Sequence, residues 1–256
     1  MHEQAARIRS YFDAAAVEYA SAREQEYSFT QQKRIALEML PRRMARVLDE
    51  GCGPAVTAAE LLERADGFWG IDISAEMIAK GRARIERHPR REHCHLAVGD
   101  GEALDFPDGF FDAVVSLGML EYLVTYQRAL AEIWRVLRPG GVAVLAVPNR
   151  RSAYHLSRRA VGAVRRSVKR LLRRAPRATE SFFYNPCAPA QLDGEIERAG
   201  FRKVEGRGCN FIFYPLHELH RGASLAVNRG VGRVARPPLD AWLGTQYIVK
   251  ALKPGA

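Results

Sequence analysis

The sequence predicts an α/β fold, a parallel β-sheet with helices on both faces. Three features of the first 150 residues point there. Short, nearly unbroken apolar runs recur along the chain, as strands buried on both faces require. Between them lie stretches with apolar residues three and four apart, the pattern of amphipathic helices. Strands joined by such crossovers run parallel. The third feature is VLDEGCGPA at residues 47–55, where two glycines follow an apolar run and an acidic pair. It falls at the carboxyl end of a strand, the edge at which open α/β sheets bind ligands.

Taken in order, MARVLDE is the first strand and TAAELLERA the helix after it. GFWGIDIS is the second strand, followed by a helix over AEMIAKGRARIERH. HCHLAVGD and FDAVVSL are the third and fourth strands, and YQRALAEIWRVLRPGG supplies the helix before the fifth, GVAVLAVPN. A later helix opens at PAQLDGEIERAG, where proline suits the first turn.

The chain has 256 residues, 47% of them hydrophobic and 27% charged, enough for one substantial core. It starts without an apolar stretch of signal-peptide length, and no run approaches the roughly eighteen apolar residues of a membrane span. Cys52, Cys94, Cys187 and Cys209 are scattered without a C-x-x-C pair, so neither a zinc site nor a disulfide scaffold is expected and a reducing cytoplasm is the default setting. The net charge of +10 suggests a polyanion partner until it is located. Residues 150–177 hold 11 Lys/Arg and no Asp/Glu, and the rest of the chain balances at 28 basic against 29 acidic residues.

Gly51 and Gly53 allow a tight turn and close approach of a ligand, with the next helix presenting its N-terminus. A plain strand-to-helix turn would read the same way. Asp72 closes the second strand about twenty residues later, where a carboxylate can accept from both ribose hydroxyls. Its alternative is a place near the cap of the next helix, a role Ser74 fills better. The third strand brings Asp100 and Gly101 to the same rim.

Four motifs in order over residues 35 to 150 resemble those of class I S-adenosylmethionine-dependent methyltransferases, type 11 in particular. VLDEGCGPA is similar to that family's first motif and GIDIS to its second. GDGEALDFPDGFFDAVVS is similar to the third and fourth, and EIWRVLRPGGVAVLAVPN to the stretch into the fifth strand. The resemblance implies a Rossmann-like sheet of seven strands in the order 3-2-1-4-5-7-6 with the last strand antiparallel, and helical insertions over the acceptor side. FRKVEGRGCNFIFYP and TQYIVKALKP would be its final strands. The implied cofactor is S-adenosylmethionine, with S-adenosylhomocysteine as product and no metal. Asp49, Gly51, Cys52 and Gly53 would form the cofactor loop, and Asp72 would hold the ribose. Ile73 and Met77 would flank the adenine, unless they are plain core residues. Asp100, beside Gly101, would accept from the adenine amino group. Ser116 and Leu117 would face the methionine end through their backbone. Two positions depart from the family. Ala55, after Pro54, stands where a third glycine is usual, which implies slightly tighter clearance. Glu50 stands where a small apolar residue is usual, and either attracts the methionine amine or faces solvent.

The acceptor is less constrained. The fourth strand runs into SLGMLEYL rather than the Asn/Asp-Pro-Pro-aromatic motif of base-amine methyltransferases, which disfavours those acceptors. By the same resemblance Tyr122 replaces the histidine of a Leu-Glu-His stretch, and it either orients an acceptor hydroxyl or caps the helix start. A small or lipophilic hydroxylated acceptor is expected, methylated on oxygen. His217 and Tyr122 are the candidate catalytic residues, and His155 and His220 are further histidines outside the cofactor core. HELH at 217–220 lacks the spacing of the zinc-protease motif. Tyr11, Phe12 and Tyr19 either line an N-terminal lid or form an apolar face on the sheet. Tyr11, Tyr19, His155 and Tyr214 are the candidate acceptor contacts.

The basic segment, if helical, repeats Leu156, Ala160, Val164, Val168 and Leu171 at three or four residues, flanked by arginines. Such a helix suits an anionic membrane surface, a lid over a soluble acceptor or, less well, RNA. Its place after the fifth strand resembles an insertion in ubiquinone-pathway O-methyltransferases, whose acceptors are prenylated phenols; the chain returns at Pro189 to Leu192. That resemblance extends the expected cytoplasmic location to the inner face of a membrane. The expected organisation is an N-terminal helical lid (1–34), a cofactor core (35–149), the basic insertion (150–180) and the remainder of the same domain (181–256) with a second insertion at 216–243. Oligomeric state cannot be read from the chain.

Overall fold

The computed structural model describes residues 2–25, 27–171, 184–214 and 216–255. Helices α1 (His2–Gln25) and α2 (Tyr27–Met39) precede β1 (Met44–Glu50). The alternating part continues with α3 (Ala58–Leu62), β2 (Ala65–Asp72), α4 (Ala75–Ile85), β3 (Cys94–Val98), β4 (Phe111–Leu117), α5 (Gln127–Val136) and β5 (Leu137–Pro148). After it come α6 (Ala153–Leu171), α7 (Pro189–Arg198) and β6 (Arg202–Cys209). Three helices, α8 (Leu216–Leu219), α9 (Arg221–Val234) and α10 (Leu239–Leu243), lead to β7 (Gln246–Leu252).

All seven strands form one sheet in the order β3-β2-β1-β4-β5-β7-β6. Only β7 runs antiparallel to its neighbours. This is the topology the resemblance implies. β1 lies between β2 and β4, with Leu48 opposite both Trp69 and Val114. Successive crossovers leave β1 in opposite directions, and a crevice opens at its carboxyl end.

Alternation along the strands divides the core into two layers. Val47, Phe68, Val115 and Val144 face one side, where Phe29, Ile35 and Met39 of α2 cover them. Leu48, Val114, Leu145 and Val249 face the other, covered by Leu130 and Ile133 of α5 and Leu192 and Ile196 of α7. Each such side chain, fully buried, contributes about 1.5–3 kcal/mol. In α5 the buried residues Ala129, Leu130, Ile133 and Val136 recur at helical spacing. Arg135, on its flank, donates to the carbonyls of Leu104 (2.7 Å) and Phe106 (2.6 Å) and so fastens the loop before β4.

Two elements are shorter than their sequence patterns suggest. The TAAELLERA helix keeps only five residues, because Thr57 still belongs to the turn out of β1 and the chain turns at Glu63 and Arg64 to enter β2 at Ala65. β6 stops at Cys209 because Asn210 adopts a left-handed φ of 63° and its amide Nδ2 donates to the Ser28 carbonyl (2.9 Å).

Helix α1 crosses the carboxyl edge of the sheet and is held at two points. Ser74 Oγ donates to Asp13 Oδ1 (2.6 Å), and Gln4 Nε2 donates to the Tyr122 carbonyl (2.8 Å). α6 confirms a helix in the basic segment. Residues 172–183, and the side chains from 164 to 183, lie outside the described residues, so Val164, Val168, Leu171 and the arginines beyond Arg159 are not placed. Among the described residues no helix is long and apolar enough to cross a membrane.

Candidate active site

Under α1, at the ends of β1 to β4, lies a cavity of about 380 Å³. The turn after β1 forms its floor. Gly51 N and Cys52 N both donate to the Ile71 carbonyl (2.9 Å each), which folds the turn back over β2. Gly53 N donates to Asp72 Oδ2 (2.9 Å), and Ser74 N donates to Asp72 Oδ1 (2.9 Å). Ser74 in turn caps α4 by accepting from Met77 N (3.1 Å). The Asp72 carboxylate thus joins the glycine turn to the start of α4.

Left-handed backbone favours glycine at both turn positions, and space also requires it at Gly51. Gly51 has φ 73°, and a Cβ there would stand 2.6 Å from Met119 Cβ. Gly53 has φ 53°, with nothing nearer to such a Cβ than Tyr19 Cε1 at 3.8 Å, so the space above it is open. Ala55 also adopts φ 53°. The expected loss of clearance at Ala55 is therefore corrected: its methyl is buried in the core, and the cost of the missing glycine falls on the backbone, about 1–2 kcal/mol. At the end of β3, a Cβ on Gly101 would stand 2.8 Å from Met119 Cε and 2.9 Å from Glu50 Oε1.

Most of the expected cofactor residues come together. Asp49, Gly51, Cys52, Gly53, Asp72, Ile73, Met77, Asp100, Gly101 and Leu117 all line the cavity. Ser116 does not. It is fully buried, and the wall passes instead through Leu117, Gly118 and Met119, because alternation along β4 turns Ser116 away. Tyr19 and Tyr122 line the cavity. Tyr11 does not: it is 49% exposed, and Phe12 takes the inward position, edge-on to Tyr122 at 5.1 Å and to Tyr19 at 5.9 Å. His155, Tyr214 and His217 also stand outside the cavity wall. They gather around Tyr154, at 5.5, 6.1 and 6.4 Å between ring centroids, where α6 meets α8. His217 Nδ1 lies 3.3 Å from Ser224 Oγ. His155 is pushed below the usual imidazole range by burial and by Arg158 and Arg159. The spacing of HELH carried no sign of this separation, because the second insertion folds against α6 rather than over the cavity. Gln4, Ile8, Met119 and Arg128 were missed as wall residues. Gln4 and Ile8 lie far from any motif, whereas Met119 and Arg128 flank the motif that named Tyr122.

A turn with two left-handed glycines, open space over the second, and carboxylates at the ends of β2 and β3 make a cradle for a nucleoside with an amino-acid tail. The residues present fit S-adenosylmethionine. The profile of a family described as methyltransferase domain matches residues 48–145. Residues 48–145 form a class I S-adenosylmethionine-dependent methyltransferase domain.

The methyltransferase domain is similar to a demethylmenaquinone methyltransferase of Thermus thermophilus, 38% identical over 117 residues (44% of this chain, 51% of the relative). A malonyl-[acyl-carrier protein] O-methyltransferase of Geobacter sulfurreducens is 32% identical over 163 residues, 63% of this chain and 57% of the relative. The chain thus spans about half the length of the curated relatives it matches. In fold it is similar to the N-methyltransferase NodS of Bradyrhizobium japonicum, solved with S-adenosyl-L-homocysteine, with a TM-score of 0.62 and 13% identity over 96% of this chain and 98% of that one. Among the described residues no group of His, Cys, Asp and Glu could hold a metal ion.

Two carboxyls at the end of β1 set the electrostatics of the methyltransferase domain. Burial raises Asp49 to about 7, opposed by the hydrogen bond from Thr57 Oγ1 and helped by the charge of Asp72. Glu50 is fully buried, so it does not face solvent. Burial drives its carboxyl well above the ordinary range; Ser116 opposes the shift, and the charges of Asp49, Asp100 and Glu132 reinforce it. Neither Glu50 oxygen has a hydrogen-bond partner of normal geometry among the described residues, so burial favours its protonated form.

The consequence for stability follows from linkage. Both carboxyls ionise near pH 4 in the unfolded chain but later in the folded one. The stability they allow is complete below about pH 4 and is lost as the pH rises, through about 7 for Asp49. The loss reaches at most about 1.4 kcal/mol per pH unit and group. Thermal melts of ligand-free protein from about pH 5 to about pH 8 should show a falling Tm, and Asp49→Asn with Glu50→Leu should flatten the fall. A wild-type Tm that stays level over this range would contradict the account.

Proposed function

We propose that the protein transfers a methyl group from S-adenosylmethionine to a small or lipophilic acceptor, on a hydroxyl oxygen. The observation that carries this reading is the cavity itself, which continues from the glycine cradle to a largely apolar wall of Ala5, Ile8, Phe12, Leu123 and Val124. Similarity to relatives named as O-methyltransferases and as demethylmenaquinone methyltransferases supports the acceptor class.

Bound S-adenosylmethionine would supply a methyl group already activated by its sulfonium, so the protein's part is to hold a nucleophile in line and exclude water. Asp72 would accept from the ribose hydroxyls with the lone pairs that Gly53 and Ser74 leave free. Ile73 and Met77 would flank the adenine, with Asp100 at its amino group. Asp49 would face the methionine amine. Helix α1, pinned through Asp13 and Gln4, would close the cavity over both ligands. No histidine lines the cavity among the described residues, which supports positioning over general-base catalysis, with Tyr122 orienting the acceptor.

Membrane contact through α6 is part of the proposal. In the described part of that helix the apolar stripe is not packed away: Leu156 is 47% exposed, and Ala160, Arg158 and Arg159 are exposed beside it. This favours an interfacial helix on the inner face of an anionic membrane over a lid.

Three outcomes test these readings. Asp72→Ala should weaken S-adenosylhomocysteine binding about ten- to a hundredfold in calorimetry, as hydrogen bonds to a charged group are worth about 1.5–3 kcal/mol; an unchanged affinity would remove Asp72 from the site. With methyl-labelled S-adenosylmethionine, a panel of phenols and hydroxylated quinols should take up label, and His217→Ala should leave the rate nearly unchanged. Cofactor binding without transfer to any acceptor would point to a binding module, and label found only in RNA would replace the small-molecule reading. In flotation, the protein should rise with anionic but not neutral vesicles at physiological salt. Absence from the anionic vesicle fraction would return α6 to the lid role.

A further inference from the structure

The walls of the cavity are unevenly charged. Asp49, Glu50, Asp72, Asp100 and Glu102 all lie on the side formed by the ends of β1, β2 and β3. The opposite wall, from Tyr122 to Arg128 after β4, includes a single charged residue, Arg128. It is also the only lysine or arginine among the cavity residues described.

Arg128 sits in the first turn of α5, exposed at the cavity rim beside Val124, which is 55% exposed. It has no ion-pair or hydrogen-bond partner among the described residues. Its neighbour two turns along the same helix shows what a structural arginine looks like here. Arg135 is engaged by Glu132 (2.8 Å), Asp108 (2.9 Å) and two backbone carbonyls. Arg138 likewise pairs with Asp112 at 2.5 Å. A guanidinium left unpaired at the mouth of an apolar chamber presents a planar fork of donors that matches a carboxylate or phosphate.

We propose that Arg128 binds a carboxylate or phosphate carried by the acceptor, so that the site takes amphiphilic acceptors with an apolar body and an anionic end. This rests on the methyl-transfer reading above and narrows its substrate class. The apolar body would lie along Ile8, Phe12 and Leu123, and the anion would remain at the rim, where it keeps part of its hydration. The anion so bound is an anchor. A guanidinium pair withdraws the oxygen lone pairs that methyl transfer would need, so the nucleophile is a different group placed deeper in the cavity. The acidic side of the cavity repels the same anion, which gives the acceptor one direction of entry.

The test is a binding measurement on protein saturated with S-adenosylhomocysteine. The probes are acids paired with their neutral esters: 4-hydroxybenzoate with methyl 4-hydroxybenzoate, and decanoate with methyl decanoate. The wild type should favour the acid of at least one pair by about tenfold or more. Arg128→Gln should remove that preference and Arg128→Lys should keep part of it, while the affinities for S-adenosylhomocysteine and 5′-methylthioadenosine stay unchanged. No acid preference in either pair overturns the proposal, as does a preference that survives Arg128→Gln. Weaker S-adenosylhomocysteine binding by Arg128→Gln with 5′-methylthioadenosine untouched also overturns it, because the anion is then the cofactor's own carboxylate. Since the readout is binding, failure of methyl transfer and failure of anion recognition are separate results.

Discussion

The Asp72 carboxylate accepting from Gly53 N and Ser74 N is the contact on which the site depends. One oxygen fixes the glycine turn after β1 and the other fixes the start of α4, so two crossovers are set against each other at the point where strand order reverses. Ser74, held there, turns its hydroxyl to Asp13 and thereby positions α1 over the cavity. In the proposed function the same carboxylate would also accept from a ribose, so one side chain would serve both structure and binding. It is largely buried, and burial is the main cause of its raised proton affinity.

Charge placement gives the cavity its direction. Three strand ends deliver carboxylates to one wall because parallel strands finish at the same edge. Two of them, Asp49 and Glu50, are buried, which shifts both toward their neutral forms. A cationic ligand would favour their ionised forms, so burial of these acids suits the site to positive charge at an expense of stability that grows as the pH rises above about 4. Met119 covers Gly51 in the turn after β1 and Gly101 after β3, approaching the first with its Cβ and the second with its Cε. A flexible thioether suits a surface that must meet a ligand closely.

The N-terminal helix and the two insertions divide the remaining work. α1 contributes Gln4, Ile8, Phe12 and Tyr19 to the cavity, while α8 meets Tyr154 through Glu218, α9 meets Phe211 through Asn228 and α10 packs on β6, away from the cavity wall. Asn228 and Ser224 are the buried residues of α9, and Asn228 accepts from Phe211 N (2.8 Å). The second insertion is thus anchored by polar contacts on its inner face, and it leaves Val234 and Trp242 outward at 75% and 61% exposure.

Local chemistry made much of this legible in the sequence. Strand and helix periods, the glycines at 51 and 53, and the acids at 49, 72 and 100 depend on backbone geometry within a few residues, and each lies where its motif implies. Parallel strands then bring those motifs to one edge, so the cofactor side follows from order along the chain. The acceptor side does not, because it is assembled from α1 and the segment after β4, more than a hundred residues apart. Whether Tyr11 or Phe12 points inward depends on the rotation of a helix, and that rotation is set by Asp13 and Gln4 meeting partners on other elements. His155, Tyr214 and His217 lie outside the cavity for the same reason: their place is decided by how the insertions pack against each other. Glu50 shows the limit most plainly. Its identity is read from the chain, but its burial and lack of a partner are created only when Gly101, Ser116 and Met119 close around it.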